Sequence, residues 1–424
     1  MRLWCEHAWL GGDELDADVL IEVQGDRFEA VTTETVPTRD AERLPGITLP
    51  GLANAHSHAF QRVLRGRTHA GTGSFWTWRE EMYGFAARFD PDSCFAVARA
   101  CFGEMALAGV TCVGEFHYLH HGPDGTPYAD PNAMGHAVTA AAREAGVRVT
   151  LLDACYLEGG LERFRDRDAE AWAERVAALR DGPGVRIGAA IHSVRAVDPA
   201  AAAVVADWAA GRPLHAHVSE QPAENERCLA DHGRTPTRVL ADAGAISERF
   251  TAVHATHLIE DDVAALAGAG VCLCPTTERD LADGIGPALR LRRAGASLAV
   301  GSDSQAIIDL FEEARAIELD ERLATGVRGN HPAAVLLAAA SANGHAALGW
   351  QEAGRIEAGA LADLVNVSME SVRLAGTPPE HGLAATVFAA TAPDVRHVMA
   401  GGRWIVRDGA HAGFDVEAAL RDAL

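Results

Sequence analysis

Ile47-Thr48-Leu49-Pro50-Gly51-Leu52-Ala53-Asn54-Ala55-His56-Ser57-His58 is an apolar run that ends in two histidines one residue apart. Side chains two apart on a strand point to the same face. Both imidazoles can therefore reach one cation from a single strand end. A lone HxH is weak evidence, because such triplets arise by chance in a chain with 19 histidines. Three further strand-like runs end in the same kind of residue. His217 lies in one, with Glu220 three residues on; His254 closes another, and Asp303 a third. Four separate strand ends bearing ligand-type or acid/base residues point to one shared site.

Working outward, apolar or β-branched runs recur at 47–54, 110–118, 147–156, 185–193, 214–219, 250–254, 271–275 and 297–303. Helical patterns separate several of them, at 91–108, 167–180, 198–210 and 309–323. In the first, Phe95, Ala98, Phe102 and Met105 keep helical spacing and Gly109 suits the helix end. Strand and helix alternating eight times predict an α/β fold of the (β/α)8 barrel type over residues 49–353. Residues 1–48 and 354–424 instead carry short strand patterns, punctuated in the first segment by Gly11-Gly12 and Gly25-Asp26. They are expected to pair into one small β-sandwich domain built from both chain ends.

Bulk properties narrow the function. With 48% apolar residues, a chain of 424 residues can bury a large core. A net charge of −22 argues against nucleic acid and anionic membrane surfaces as partners. An anionic ligand would need local arginines to overcome that field. Met1-Arg2-Leu3-Trp4 leads straight into Glu6 and His7, so no secretory leader is expected, and no run reaches the length of a membrane span. The eight cysteines form no CxxC pair, which suits a reducing cytoplasm.

Barrel active sites sit at the C-terminal strand ends. His56, His58, His217 and Asp303 all fall there, and three neutral imidazoles with one carboxylate suit one borderline divalent ion per chain, most simply Zn2+. Iron and manganese suit the same donors. A water on such an ion ionises near neutral pH. Proton traffic then falls to Asp303, Glu220 and His254 as the catalytic set.

At this point the chain resembles the amidohydrolase superfamily. The resemblance rests on 49–58, His217-Val218-Ser219-Glu220, Gly301-Ser302-Asp303-Ser304 and Gly359-Ala360-Leu361-Ala362-Asp363-Leu364. It implies hydrolysis at carbon bound to nitrogen. Ser74-Phe75-Trp76-Thr77-Trp78-Arg79-Glu80, Glu115-Phe116-His117-Tyr118 and His192-Ser193-Val194-Arg195 look like the formiminoglutamate deiminase branch, whereas Arg279-Asp280 departs from its pattern. That branch turns N-formimino-L-glutamate into N-formyl-L-glutamate and ammonia in histidine degradation. By resemblance, metal ligation carries over to His56, His58, His217 and Asp303. Catalysis carries over to Glu220 and His254, and substrate contact to Gln61, Arg79, Tyr118, His192 and Arg195.

A small-molecule substrate with two carboxylates would give Arg79 and Arg195 a planar fork each to offer. A ring deaminase on the same scaffold is the nearest alternative, and would need fewer arginines. A catalytically inactive scaffold protein is the other, but it would be expected to have lost ligands that are all present here. A homodimer is expected from the resemblance and from the prevalence of two-fold symmetry.

Overall fold

The computed structural model describes residues 1–424. Two eight-stranded sheets organise it. The first is made from both chain ends. It comprises β1 (Arg2–Ala8), β2 (Asp16–Gln24), β3 (Arg27–Thr32) and β4 (Glu42–Pro50) from the start of the chain. The barrel strands are β5 (Leu52–Ser57), β6 (Val110–His117), β7 (Arg148–Cys155), β8 (Val185–Ile191), β9 (Leu214–Val218), β10 (Phe250–His254), β11 (Gly270–Leu273) and β12 (Ser297–Val300). The chain end returns β13 (Leu364–Val367), β14 (Val395–Ala400), β15 (Arg403–Arg407) and β16 (Ala410–His411) to the first sheet.

All eight barrel strands run parallel in chain order. Almost every residue in them is buried. This is the expected mark of a parallel sheet covered on both faces, and it explains why each strand reads as a continuous apolar run. Closure comes where β5 meets the segment after β12. Ser57 bridges Asp303, the His58 amide donates to the Asp303 carbonyl at 3.0 Å, and the Asp303 amide donates to the His56 carbonyl at 3.0 Å. Gly301 makes this approach possible: a Cβ there would lie 2.7 Å from the His56 carbonyl oxygen.

The run 47–54, expected as a single strand, is two strands. Its first part ends β4, which pairs with β13 in the other sheet through Ile47↔Val367 and Pro50↔Leu364. Its second part begins β5. Gly51 is the pivot, wedged so tightly that a Cβ would sit 2.8 Å from that of Asp363. In the end-strand sheet, Leu3, Cys5, Val19, Ile21, Phe28, Leu44, Leu364 and Met399 share a small core of their own. The main core fills the barrel and its helical jacket.

Two helices matter for the site. The stretch around Arg79 folds as α1 (Phe75–Ala86), and α2 (Pro91–Leu107) follows, capped by Asp90 accepting from the Ser93 amide at 2.8 Å. No helix is long and apolar enough to cross a membrane.

Candidate active site

His56 is the penultimate residue of β5 and His58 lies just past the strand, capping the short 3-10 turn Ala59–Leu64. Their Nε2 atoms stand 3.3 and 3.5 Å from Asp303 Oδ1. His217, on β9, brings its Nε2 to 3.2 Å from that of His56. Four zinc ligands at about 2.0–2.1 Å in a tetrahedron lie about 3.3–3.4 Å apart. These three separations match that spacing; the ligand atoms of His56, His58 and His217 lie within 4.8 Å of one another, as do those of His56, His254 and Asp303.

The tautomers match as well. His58 Nδ1 donates to the Phe116 carbonyl at 2.8 Å, and His217 Nδ1 donates to the His192 carbonyl at 2.8 Å. Each bond leaves a lone pair on Nε2 facing the site, the arrangement seen where backbone carbonyls orient metal-ligating histidines. Burial lowers the pKa of all three imidazoles, that of His56 to about 3. Lone pairs converging on one point repel one another unless a cation sits among them, so the donor set fits a divalent ion.

His254 and Glu220, the residues expected to move protons, stand beside this cluster. His254 Nε2 is 3.7 Å from both Asp303 Oδ2 and Glu220 Oε1. Its Nδ1 faces Glu278 Oε1 at 3.3 Å, and that carboxylate also accepts the Cys274 amide at 2.8 Å. Burial alone would lower the His254 pKa, but Glu220, Glu278 and Asp303 outweigh it and raise it to about 10. The backbone is left-handed at His254 (φ 66°), at Asp303 (φ 45°) and at Ser219 (φ 51°), which lies between His217 and Glu220. Non-glycine residues adopt this region sparingly, and it turns the chain sharply as each strand ends.

A cavity of about 270 Å³ opens over these groups. His58, His217, Glu220, His254 and Asp303 form its floor, while Gln61, Arg79, Tyr118, His192 and Arg195 line its walls. Every residue singled out from sequence is therefore on this cavity, except His56, which is fully buried beneath it. Gln61 donates to the Tyr118 hydroxyl at 2.9 Å, while its Oε1 has no partner. Arg195 donates to Glu220 Oε2 at 2.7 Å, with Glu224 further off at 4.0 Å. Arg79 stacks on Trp76 at 4.6 Å and near Tyr83 at 5.5 Å. No carboxylate pairs with it, and its buried Nε has no acceptor.

Several contributors escaped the sequence reading. Glu278 lies one helical turn past the end of β11, a position that pointed to it. Tyr156 closes the run 147–156 and packs its ring, tilted by 53°, 4.2 Å from that of His192. Glu115 is buried behind the two histidines, accepting from Ser57 Oγ and the Ala59 amide, each at 2.7 Å. Burial raises its pKa to about 8. The histidines left without a role are bonded elsewhere: His120 Nε2 donates to the Ala154 carbonyl at 2.9 Å and His257 Nε2 to that of Asp283 at 2.7 Å. A second histidine and carboxylate group, His117, His120 and Asp153, is held by Arg175, which bonds both Asp153 oxygens at 3.0 Å.

A parallel eight-stranded barrel with HxH at its first strand end, a histidine on the fifth strand and an aspartate beyond the eighth defines a class of hydrolases. Residues 47–405 match the model of the amidohydrolase family, and the chain belongs to that family. It is 38% identical over 422 residues to the formimidoylglutamate deiminase of Pseudomonas aeruginosa, covering 93% of this chain and 92% of that protein. It is 31% identical over 422 residues to a 5-methylthioadenosine/S-adenosylhomocysteine deaminase of Halobacterium salinarum, with 96% and 92% covered. The crystal structure of an amidohydrolase from Brucella melitensis superposes with a TM-score of 0.92 at 34% identity, covering 100% of this chain and 98% of that one. The protein is an enzyme that hydrolyses carbon–nitrogen bonds other than peptide bonds.

Proposed function

We propose that the enzyme hydrolyses N-formimino-L-glutamate to N-formyl-L-glutamate and ammonia, with one zinc ion held by His56, His58, His217 and Asp303. The observation that carries this reading is Arg79, a guanidinium in the cavity wall with no carboxylate of the protein to pair with. In a chain of net charge −22, an arginine kept free in a cavity suits an anionic ligand. Arg195 gives one Nη to Glu220 and has its other Nη free for a second carboxylate. The likeness to the Pseudomonas aeruginosa deiminase supports the same substrate.

The bound ion supplies the positive charge that ionises a water near neutral pH. Asp303 Oδ2 and Glu220 Oε1 flank His254 Nε2, so a proton leaving the attacking water has a carboxylate on either side of an imidazole to receive it. The water oxygen bonds to the formimino carbon. Glu220 then passes a proton to the terminal nitrogen, the carbon–nitrogen bond breaks, and ammonia departs. Arg79 and Arg195 anchor the glutamate end, so the α-nitrogen stays attached to the formyl product. Gln61 and Tyr118, bonded to each other, present Gln61 Oε1 as an acceptor on the cavity wall.

Proton NMR of the zinc-loaded protein with N-formimino-L-glutamate tests this. N-formylglutamate and ammonia are expected; formamide and glutamate would refute the role given to Glu220 and the assignment together. A second reading, deamination of a purine nucleoside such as 5-methylthioadenosine, is supported by the Halobacterium salinarum likeness. Against it stands the cavity, which lies at the lower edge of the roughly 300–1,000 Å³ that drug-sized ligands occupy. Turnover of methylthioadenosine exceeding that of formiminoglutamate would establish that reading instead.

A further inference from the structure

α1 forms one wall of the cavity and carries Arg79, and it is held to the main core only by a narrow apolar strip that includes Met82 and Ala86. The chain leaves β5 through the short turn Ala59–Leu64 and then crosses an exposed stretch with glycines at 66, 71 and 73 before the helix begins. Something must fix the helix over the cavity if its arginine is to meet a ligand in one place.

The other end of the helix supplies the anchor. Arg163, in the short 3-10 turn Glu162–Phe164 after β7, has no exposed surface at all. Its guanidinium pairs with no carboxylate. Instead Nη1 donates to the Ala86 carbonyl at 2.6 Å, and Nη2 donates to the carbonyls of Phe89 at 2.7 Å and His121 at 3.0 Å. Ala86 is the last residue of α1. The final carbonyls of a helix have no partner within it, and its C-terminal end is the negative pole of its dipole. A buried cation bonded to that end satisfies both.

The same residue ties in the loop after β6. The amides of His120 and His121 donate to the Arg163 carbonyl at 3.2 and 3.0 Å. Its neighbour Phe164 lies on the cavity wall, with its ring 5.8 Å from that of Tyr83 on α1 and 5.1 Å from that of Tyr118. One buried arginine thus joins α1 to the two loops that carry the aromatic wall.

We propose that Arg163 is a positioning residue that docks α1 on the barrel and thereby sets Arg79 against the substrate. Three carbonyls in different directions call for the planar fork of arginine; the compact ammonium of lysine, with its donors on one nitrogen, serves them less well. The kinetic part of this proposal rests on the reading of Arg79 as a carboxylate contact. The docking part does not.

Two measurements on the full-length, zinc-loaded protein separate these parts. In Arg163→Met, hydrogen exchange across 75–86 is expected to accelerate while the barrel strands keep their protection. With formiminoglutamate, KM is expected to rise about tenfold while kcat stays within about threefold, the pattern of lost binding that is equal in ground and transition states. In the double variant Arg79→Met/Arg163→Met, KM is expected to be no higher than in Arg79→Met alone, since a misplaced arginine and a missing one are equivalent. Unchanged exchange in 75–86 overturns the docking role, as does exchange accelerated equally through the barrel strands. A KM equal to the parent's, or fully independent effects in the double variant, overturns the link to Arg79. If Arg163→Met does not fold, Arg163→Lys decides by the same readouts at smaller amplitude, and parental exchange and KM in that variant overturn the proposal. A parent inactive on formiminoglutamate removes the substrate assignment but leaves the exchange result to judge the docking.

Discussion

The Arg195 guanidinium donates to the Glu220 carboxylate at 2.7 Å, so the cavity arginine and the acid beside the histidine cluster are physically joined. Burial opposes the charge on Arg195, but Glu224 and Glu220 outweigh it and raise its pKa. An arginine that only held substrate would affect KM alone. One that also orients Glu220, the proton donor of the proposed reaction, affects kcat.

Arg195→Met is therefore expected to lower kcat as well as raise KM. Loss of a hydrogen bond to a charged group is worth about 1.5–3 kcal/mol, so kcat/KM should fall roughly tenfold to hundredfold. Steady-state kinetics with formiminoglutamate checks this. An efficiency within about twofold of the parent would show that Arg195 neither grips substrate nor orients Glu220.

One metal ion per chain is expected. His56 and His58 lie 3.3 and 3.5 Å from Asp303, His217 lies 3.2 Å from His56, and the neighbouring carboxylates Glu220 and Glu278 are engaged by Arg195 and by the Cys274 amide. Elemental analysis after chelation and reloading measures the stoichiometry. His217→Ala should lose the ion and the activity together while retaining the fold by circular dichroism. Two tightly held ions per active chain would contradict a mononuclear site.

Five histidines outside the site set a pH limit on stability. Burial lowers the pKa of His117 and His345 to about 3, and of His120, His215 and His331 to about 4. Each is neutral when folded and takes up a proton on unfolding once the pH drops below its unfolded value of about 6.5. Their contribution is complete above that pH and is lost as pH falls toward the folded values. Between about pH 7 and about pH 5, each accounts for about 2 kcal/mol. His215 is fully buried and donates Nε2–H to the Ala347 carbonyl at 3.0 Å, a bond that glutamine can replace. Chemical unfolding at the two pH values should show His215→Gln losing less stability than the parent. An identical loss would mean that His215 titrates normally.

Much of this was legible in the chain. The barrel strands could be read because each is buried on both faces, which makes it a continuous apolar run, and because the reactive residues sit where such runs stop. His217, Glu220, His254 and Asp303 were found on that ground alone. The break at Gly51 was not, since β4 and β5 are equally apolar and only the closeness of Asp363 and Thr111 separates the two sheets. The pairing of Arg195 with Glu220 joins residues 25 apart on different strand ends, a contact that spacing does not encode. Arg163 was invisible for a related reason: its partners are backbone carbonyls, and carbonyls carry no sequence signature.

Glu278 offers the last test, because it neither lines the cavity nor hydrogen-bonds the four residues expected to hold the metal. It faces His254 Nδ1 at 3.3 Å and accepts the Cys274 amide at 2.8 Å, while His254 Nε2 points at Asp303 and Glu220. An acceptor at Nδ1 holds the ring against rotation, and its charge is one of those that keep the imidazole protonated. Glu278→Gln keeps an acceptor oxygen of the same reach and removes the charge. Glu278→Ala removes both and leaves a cavity. If orientation is what Glu278 supplies, the glutamine variant should retain kcat within about tenfold, whereas the alanine variant should lose about a hundredfold or more with little change in KM, as befits a general acid–base group knocked out of line. If the charge matters instead, both variants should fall together, and the pH at which kcat declines should move between parent and Glu278→Gln. Equal kcat in all three proteins would leave His254 without need of a partner, and would place its orientation in the left-handed backbone at φ 66° alone.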